Sequence, residues 1–208
     1  MGLSVFFYLA FLAAFGAARL IELRVSERNR RRLEARGVAR VPDPAFPYLA
    51  VFHAAVPVAA AFEVLFLRRP FLPKLALTMG IVFLLAQALR WWAIRTLGEH
   101  WNVHVMASAG LGVVSNGPYR FARHPNYVAV FVEMAALPLI HTAWVTALAS
   151  APVHAFLLRR RIAVEQRVLL ADPGYLAAME PKPLFVPRWR VPFSWFRRAG
   201  TPPGPKKA

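Results

Sequence analysis

A series of long, nearly uncharged apolar runs constrains the fold of this chain more than any other feature. A helix must present about 20 apolar residues to cross the hydrocarbon core of a bilayer. Residues 3–23, 46–67 and 75–94 reach that length, and 58% of the 208 residues are hydrophobic, whereas soluble domains are about 45–50% apolar. We therefore expect three membrane-spanning helices. The first is expected to be retained rather than cleaved as a signal peptide, because no basic segment precedes it.

Two shorter apolar runs follow, at residues 127–140 and 143–158. His141 and Thr142 separate them, and Pro138 lies just before, which predicts a tight helical hairpin that tilts or crosses a thin part of the bilayer. The predicted fold class is therefore an all-α, polytopic integral membrane protein with about five transmembrane helices and a C-terminal helical hairpin.

Basic residues crowd the segments between the apolar runs. The chain has 26 Lys and Arg against 10 Asp and Glu, a net charge of +16. Nucleic-acid-binding proteins are also basic, but alternation with apolar runs indicates cytoplasmic loops, so no nucleic-acid partner is expected. Five crossings would place segments 26–40, 95–123 and 159–208 in the cytoplasm and the N-terminus outside. Three basic residues would then fall on the outer side: Arg68, Arg69 and Lys74.

The chain is predicted to divide into three regions. Residues 1–95 hold the first spans and a basic connector, residues 26–40, which we expect to be a solvated loop. Residues 96–198 hold the polar motifs, the hairpin and an interfacial segment in which aromatic residues alternate with arginine. Residues 199–208 are predicted to be a disordered tail. Because there is no cysteine, a disulfide framework, a cysteine metal site and a thiol nucleophile are excluded.

Two ionisable residues, His53 and Glu63, lie inside the second span. Ionisable groups in a span are candidates for function, and the alternative is a structural group with a partner. A metal site is a separate possibility, because Glu99, His100 and His104 lie close together. The helical His-Glu-x-x-His pattern is absent, however, and no further cluster supplies ligands, so no metal is expected.

The segment 117–127 holds the most unusual polar cluster, Gly-Pro-Tyr-Arg-Phe-Ala-Arg-His-Pro-Asn-Tyr. Pro125 suits the first turn of a helix, which places the cluster at a helix N-terminus that favours an anion. A polar loop that caps a membrane helix is the simpler alternative. Further along, Arg161 and Glu165 share one helix face, either as site residues or as a surface ion pair.

These motifs together resemble those of the isoprenylcysteine carboxyl methyltransferase family. The resemblance rests on Arg-His-Pro-Asn-Tyr at 123–127, Gly-Pro-Tyr at 117–119 and the spacing of Arg161, Glu165 and Leu169, and it covers about residues 75–189. It implies a helical membrane enzyme that takes S-adenosylmethionine from the cytosol and a lipidic acceptor from the bilayer. The active site would face the cytoplasm at a bacterial inner membrane, and no obligatory protein partner is inferred.

The resemblance also implies roles for single residues. Arg161 would face the acceptor and act in catalysis with His124, and Glu165 would hold the cofactor. Gln166 departs from the family, which usually has a second acid there. The remaining cofactor-binding residues would be Leu111, Gly112, Val113, Val114, Tyr119, His124, Pro125, Asn126 and Tyr127.

The acceptor is left open between two chemical classes. Trp-Asn-Val at 101–103 and Glu133 resemble a bacterial subgroup whose members methylate alkylpyrones and alkylresorcinols, whereas the parent family methylates a prenylcysteine carboxylate. A phenol must lose a proton, for which His124, His104 and His100 are candidate bases. Three other functions remain as alternatives: a phospholipid or amine N-methyltransferase, a nicotinamide-dependent membrane reductase, and a non-enzymatic membrane scaffold.

Overall fold

The computed structural model describes residues 2–107 and 112–185, and this part of the chain is mostly helical. A two-stranded antiparallel sheet, which the sequence did not predict, pairs β1 (Arg40–Val41) with β2 (Val105–Met106). One 3-10 turn, Gly98–His100, precedes β2, and a second, Gly117–Arg120, lies between β2 and the next helix. The α-helices are α1 (Leu3–Ala35), α2 (Phe46–Phe66), α3 (Pro73–Leu97), α4 (Pro125–Leu139), α5 (Trp144–Leu169) and α6 (Pro173–Met179).

Three helical segments in the described part are long and apolar enough to cross a membrane: Leu3–Ala35, Phe46–Phe66 and Pro73–His100. They correspond to the three predicted spans and confirm an integral membrane protein. The predicted hairpin is also present, as α4 and α5. Because α4 has only 15 residues, the total of five crossings stays a prediction.

The core lies where α4 packs between the longer helices. Val130, Met134 and Leu137 of α4 are buried at a three-to-four-residue spacing, as on one face of a helix. They meet buried residues of the first three helices: Tyr8, Leu12, Phe15, Val56, Ala60, Val64 and Phe83. Large apolar side chains such as Leu77, Leu84 and Leu148 face outward instead, as lipid-facing residues do.

The prediction of a solvated loop at residues 26–40 was wrong for residues 26–35, because α1 continues to Ala35. Ion pairs along the helix support the extension: Arg30 contacts Glu27 and Glu34, three and four residues away. The helix ends before Gly37, whose φ of 80° is favourable for glycine at this position. Most of the basic connector is thus a helical continuation of the first predicted span.

The two ionisable residues of α2 both have structural partners. Glu63 accepts hydrogen bonds from the backbone N–H groups of Val145 and Thr146, at 3.1 and 2.7 Å, and so caps the start of α5. It also pairs with Arg69 at 2.8 Å, which neutralises one of the basic residues predicted to lie on the outer side. The Nε2 atoms of His53 and His154 lie 3.2 Å apart.

Some predictions concern residues outside the described part of the chain. The interfacial segment after residue 186 and the tail at 199–208 are among them. The boundary between residues 95 and 96 stays a prediction, and the β1–β2 sheet links the two regions it would separate.

Candidate functional site

The segment 117–127 folds as a 3-10 turn followed by the first turn of α4. Gly117 has a φ of 53°, and a Cβ atom there would lie 2.5 Å from Oγ1 of Thr96 on α3. Glycine is therefore required both by the backbone and by the close approach of α3. Pro125 is the first residue of α4, as predicted, and His124 precedes it at the N-cap position.

A cavity of about 150 Å³, which we call the loop cavity, lies beside this turn. It brings together almost all of the predicted site residues. Pro125 is buried but is not among the lining residues, and Leu111 lies outside the described part of the chain. The predicted residues that line the loop cavity are Gly112, Val113, Val114, Tyr119, His124, Asn126, Tyr127, Arg161 and Glu165.

A chain of hydrogen bonds organises one wall of the loop cavity. Arg161 donates to the Asp43 carboxylate, to the carbonyl oxygen of Val103 at 2.8 Å and to the Tyr127 hydroxyl at 3.1 Å. The Tyr127 hydroxyl in turn donates to Glu165. Arg161 is only 5% exposed, so the alternative of a surface ion pair between Arg161 and Glu165 was wrong. The buried cation is instead fixed by Asp43.

A second set of hydrogen bonds fixes the ring of His124. Arg123 donates to Oε1 of Gln166 at 2.9 Å, which leaves the amide NH₂ of Gln166 to donate to Nε2 of His124 at 2.6 Å. The network therefore assigns the ring proton to Nδ1. Burial lowers the pKa of His124, and Arg123 lowers it further although Glu165 opposes this. The ring is neutral at pH 7 and its remaining nitrogen is a donor.

His104 has a neutral ring with a nitrogen that can accept a proton. Its ring lies 4.3 Å from the ring of Phe46 between centroids and lines the loop cavity. Burial lowers the pKa of His104, and the nearby Arg40 and Arg161 lower it further. Its ring has no hydrogen-bond partner within the described residues, so a nitrogen of this neutral imidazole can accept a proton.

A larger cavity, of about 650 Å³, opens between α1 and α2, and we call it the helix cavity. It is lined mainly by apolar residues such as Leu12, Leu49 and Pro57. Trp101, Asn102, Asn126, Tyr127 and Arg161 line both this cavity and the loop cavity. The two cavities therefore meet at the N-terminal turn of α4.

Asn126 lies at this junction with an unsatisfied side chain. Its Oδ1 atom is buried and has no hydrogen-bond partner within the described residues. A buried amide oxygen without a partner costs about 1–3 kcal/mol, so this atom is a candidate contact for a bound molecule.

The backbone of the motif is tied to the end of the described chain. The N–H groups of Arg123 and His124 donate to the carbonyl oxygens of Pro183 and Leu184, each at 2.9 Å. Lys182 donates from Nζ to the carbonyl oxygen of Tyr119 at 2.9 Å. These contacts hold the polar turn against the segment that follows α6.

Three residues of the site were not predicted from the sequence. Asp43 was not considered, although it is an isolated acid between two prolines, just after the basic connector. Gln166 was noted only as a departure from the family. Asn29 was treated as part of a loop, but it donates to the carbonyl oxygens of Gly98 and Trp101, at 3.1 and 2.8 Å, and holds the loop-cavity wall. A buried arginine implies an acidic partner, but local patterns do not identify which acid.

The described residues contain no group of three or more His, Cys, Asp or Glu side chains that could hold a metal ion.

Comparison with known proteins identifies a family over this region. The sequence profile of the isoprenylcysteine carboxyl methyltransferase family matches residues 77–171. The chain is 30% identical over 152 residues to the uncharacterised protein YpbQ of Bacillus subtilis, covering 73% of this chain and 89% of that protein. It is 26% identical over 154 residues to an uncharacterised protein of Haemophilus influenzae, covering 74% and 89%.

Proposed function

The chain belongs to the isoprenylcysteine carboxyl methyltransferase family, and we propose that it is an S-adenosylmethionine-dependent membrane O-methyltransferase with a lipidic acceptor. The proposed acceptor is a long-chain phenol or pyrone, or a prenylcysteine-like carboxylate. One observation carries the proposal: a cavity with several polar and charged side chains and a larger, mainly apolar cavity meet at Asn126, Tyr127 and Arg161. A reaction between a polar donor and a membrane-soluble acceptor needs such a junction.

The residues of the loop cavity fit S-adenosylmethionine by their chemistry. Glu165 offers a carboxylate for the amine. The Nδ1–H group of His124 offers a donor for the carboxylate, at a helix N-terminus whose dipole favours negative charge. The unpaired amide of Asn126 offers a further contact. When bound, the cofactor supplies a methyl group activated by a sulfonium.

The helix cavity fits the apolar part of the acceptor. Its wall runs along α1 and α2 at the depth of the bilayer, so an alkyl chain could stay among apolar residues while its head group reaches Arg161. Holding two reactants in alignment can supply roughly 7–11 kcal/mol of a barrier. Positioning is thus the main contribution that these residues would make.

Arg161 and the histidines would supply the remaining chemistry. Arg161, fixed by Asp43, would stabilise negative charge on the acceptor oxygen. For a phenol, His104 is the better proton acceptor, because Nε2 of His124 already accepts from Gln166. His124 would then act in the site as a hydrogen-bond donor that orients the bound molecules. A carboxylate acceptor would need no base.

The test of the cofactor assignment is calorimetry of the detergent-purified protein with S-adenosylhomocysteine. We expect binding, and we expect Glu165→Gln to weaken it about ten-fold or more, because a charge-assisted hydrogen bond is worth about 1.5–3 kcal/mol. Glu99→Gln is the matched control, since Glu99 is exposed and pairs with Arg32 and Arg36. Unchanged affinity in a folded Glu165→Gln protein would overturn the role of Glu165.

The test of the reaction class is product analysis after transfer of a labelled methyl group. O-methylation of a long-chain phenol or a prenylcysteine supports the proposal, whereas labelled amines or phospholipids would indicate an N-methyltransferase. Arg161→Ala should lower turnover far more than cofactor affinity, because the proposed role of Arg161 is to stabilise charge on the acceptor oxygen.

The proposed site faces the cytoplasm of a bacterial inner membrane. Support comes from the arginine-rich end of α1, which lies at the same end of the bundle as the loop cavity. A reporter fused after Ala208 should therefore be active in the cytoplasm and a tag before Met1 should be accessible from outside. Two termini on one side would instead indicate an even number of crossings.

A further inference from the structure

A cluster of four charged residues lies at the wall of the helix cavity, away from the junction with the loop cavity, and three of the four line the cavity. Arg90 donates to Glu22 through Nη2 at 2.6 Å and Nε at 3.3 Å. Arg19 contacts Glu22 at 2.9 Å and Glu133 at 3.3 Å. We call these four residues the charged cluster. With two cations and two anions it has no net charge.

The hydrogen bonds of the charged cluster are incomplete. Nε of Arg19 and Oε2 of Glu133 are buried and have no hydrogen-bond partner within the described residues. Polar groups at membrane depth are costly when they are unpaired, because no bulk water replaces the missing bond. Arg19, Glu22 and Arg90 line the helix cavity, so a molecule in the cavity meets three charged side chains of a cluster whose own hydrogen bonds are incomplete.

A purely structural role explains these residues less well. A buried ion pair is often no more stabilising than well-packed apolar side chains. A structural cluster would be expected to satisfy its own donors and lie away from open space. Here three of the four residues line a cavity, and His53 of α2 lines the same cavity.

The distance between the charged cluster and the junction of the two cavities can be measured along α4 and α5. Glu133 lies seven residues after Asn126 on α4, which at 1.5 Å per residue is about 10 Å along the helix. His154, the partner of His53, lies seven residues before Arg161 on α5, again about 10 Å. Arg19 and His53, which contact Glu133 and His154, line the helix cavity. The cavity therefore has two polar levels, one at the junction and one about 10 Å deeper.

We propose that the acceptor carries a second oxygen function, a hydroxyl or carbonyl group about 10 Å from the methylated oxygen, which binds to the charged cluster. A neutral oxygen fits better than an anion, because the cluster is already balanced in charge. The arginines are donors for this oxygen, and Glu22 accepts from a hydroxyl. This inference rests on the proposed function, since it concerns the acceptor of that reaction.

The test compares two probes with the full-length protein in lipid nanodiscs. Both are phenols with the same long alkyl chain, and one carries a hydroxyl about 10 Å along the chain from the phenol oxygen. We expect the hydroxylated probe to bind about ten-fold more tightly, as a hydrogen bond to a charged group predicts. Equal affinity, weaker binding of the hydroxylated probe, or no binding of either would overturn the inference. The proposed function is tested separately, by the binding of S-adenosylhomocysteine, and is overturned if this ligand does not bind.

The double variant Glu22→Gln with Arg90→Gln assigns the effect to the cluster. It removes one charge of each sign, and we expect the affinity ratio of the probes to fall to about one while S-adenosylhomocysteine binds as before. Glu27→Gln with Arg31→Gln, an exposed ion pair on the same helix, is the matched control. A milder variant, Arg19→Lys, keeps the charge but removes Nε, and should reduce the ratio in the same direction. A ratio that neither variant changes would overturn the assignment.

Discussion

The contact between Asp43 and Arg161 gives the sharpest prediction about stability. Both side chains are nearly inaccessible, with 3% and 6% of their surfaces exposed. Asp43→Asn would leave the Arg161 cation buried without its counter-charge, although the bonds to Tyr127 and Val103 remain. Removing one partner of a buried ion pair costs about 3–5 kcal/mol. For a chain of this size that lowers the unfolding midpoint by about 6–20 °C.

The assay is thermal unfolding of the purified protein in detergent, with Glu34→Gln as control. Glu34 also pairs with an arginine, Arg30, but its side chain is 38% exposed, so its loss should cost at most about 1 kcal/mol. The double variant Asp43→Asn with Arg161→Gln should cost less than the sum of the single changes, by about 1 kcal/mol or more. Additive costs, or an Asp43→Asn shift no larger than that of Glu34→Gln, would refute the reasoning.

Two further predictions concern glycine and pH. Gly117→Ala should destabilise the protein by more than about 1 kcal/mol, because Gly117 has a φ of 53° and an added Cβ would clash with Thr96. Gly16→Ala should instead stabilise α1 by about 0.5–1 kcal/mol, since nothing lies within 4 Å of a Cβ at that position. Unfolding midpoints of the two variants check both signs. Burial lowers the folded-state pKa of His124 and of His104, so stability should be full above the unfolded pKa of about 6.5 and fall as the pH drops below it. Midpoints between pH 5 and 8 measure this, and His124→Gln should flatten the profile; a midpoint that rises on acidification would contradict it.

Much of the fold followed from local patterns. Apolar length located α1, α2 and α3, and Pro125 with His141-Thr142 located the ends of α4. The limit of this reasoning is clear in α1. A change from apolar to basic residues marks where a membrane ends but not where a helix ends, because the Arg30 ion pairs continue the same backbone hydrogen bonding.

The residues of the site could be predicted from the sequence, but the ion pairs and hydrogen bonds between them could not. The motif at 117–127 and the pair Arg161 and Glu165 do gather around one cavity. The partnership of Arg161 with Asp43 spans 118 positions of sequence, and any of several acids could have satisfied the same electrostatic need. Pairings of buried charges between distant helices are decided by packing, which a single sequence does not display.

The unbroken course of α1 has a mechanical consequence. Its 33 residues make a rod about 50 Å long, well beyond the roughly 30 Å of hydrocarbon in a bilayer. Residues 9–23 of α1 border the helix cavity. Near the C-terminal end of α1, Asn29 donates a hydrogen bond to the backbone carbonyl oxygen of Trp101. A tilt of about 5° pivoting near Leu12 would carry Asn29 through about 2 Å. Bilayer thickness, which affects the tilt of such helices, would thereby change the geometry of the loops around the loop cavity.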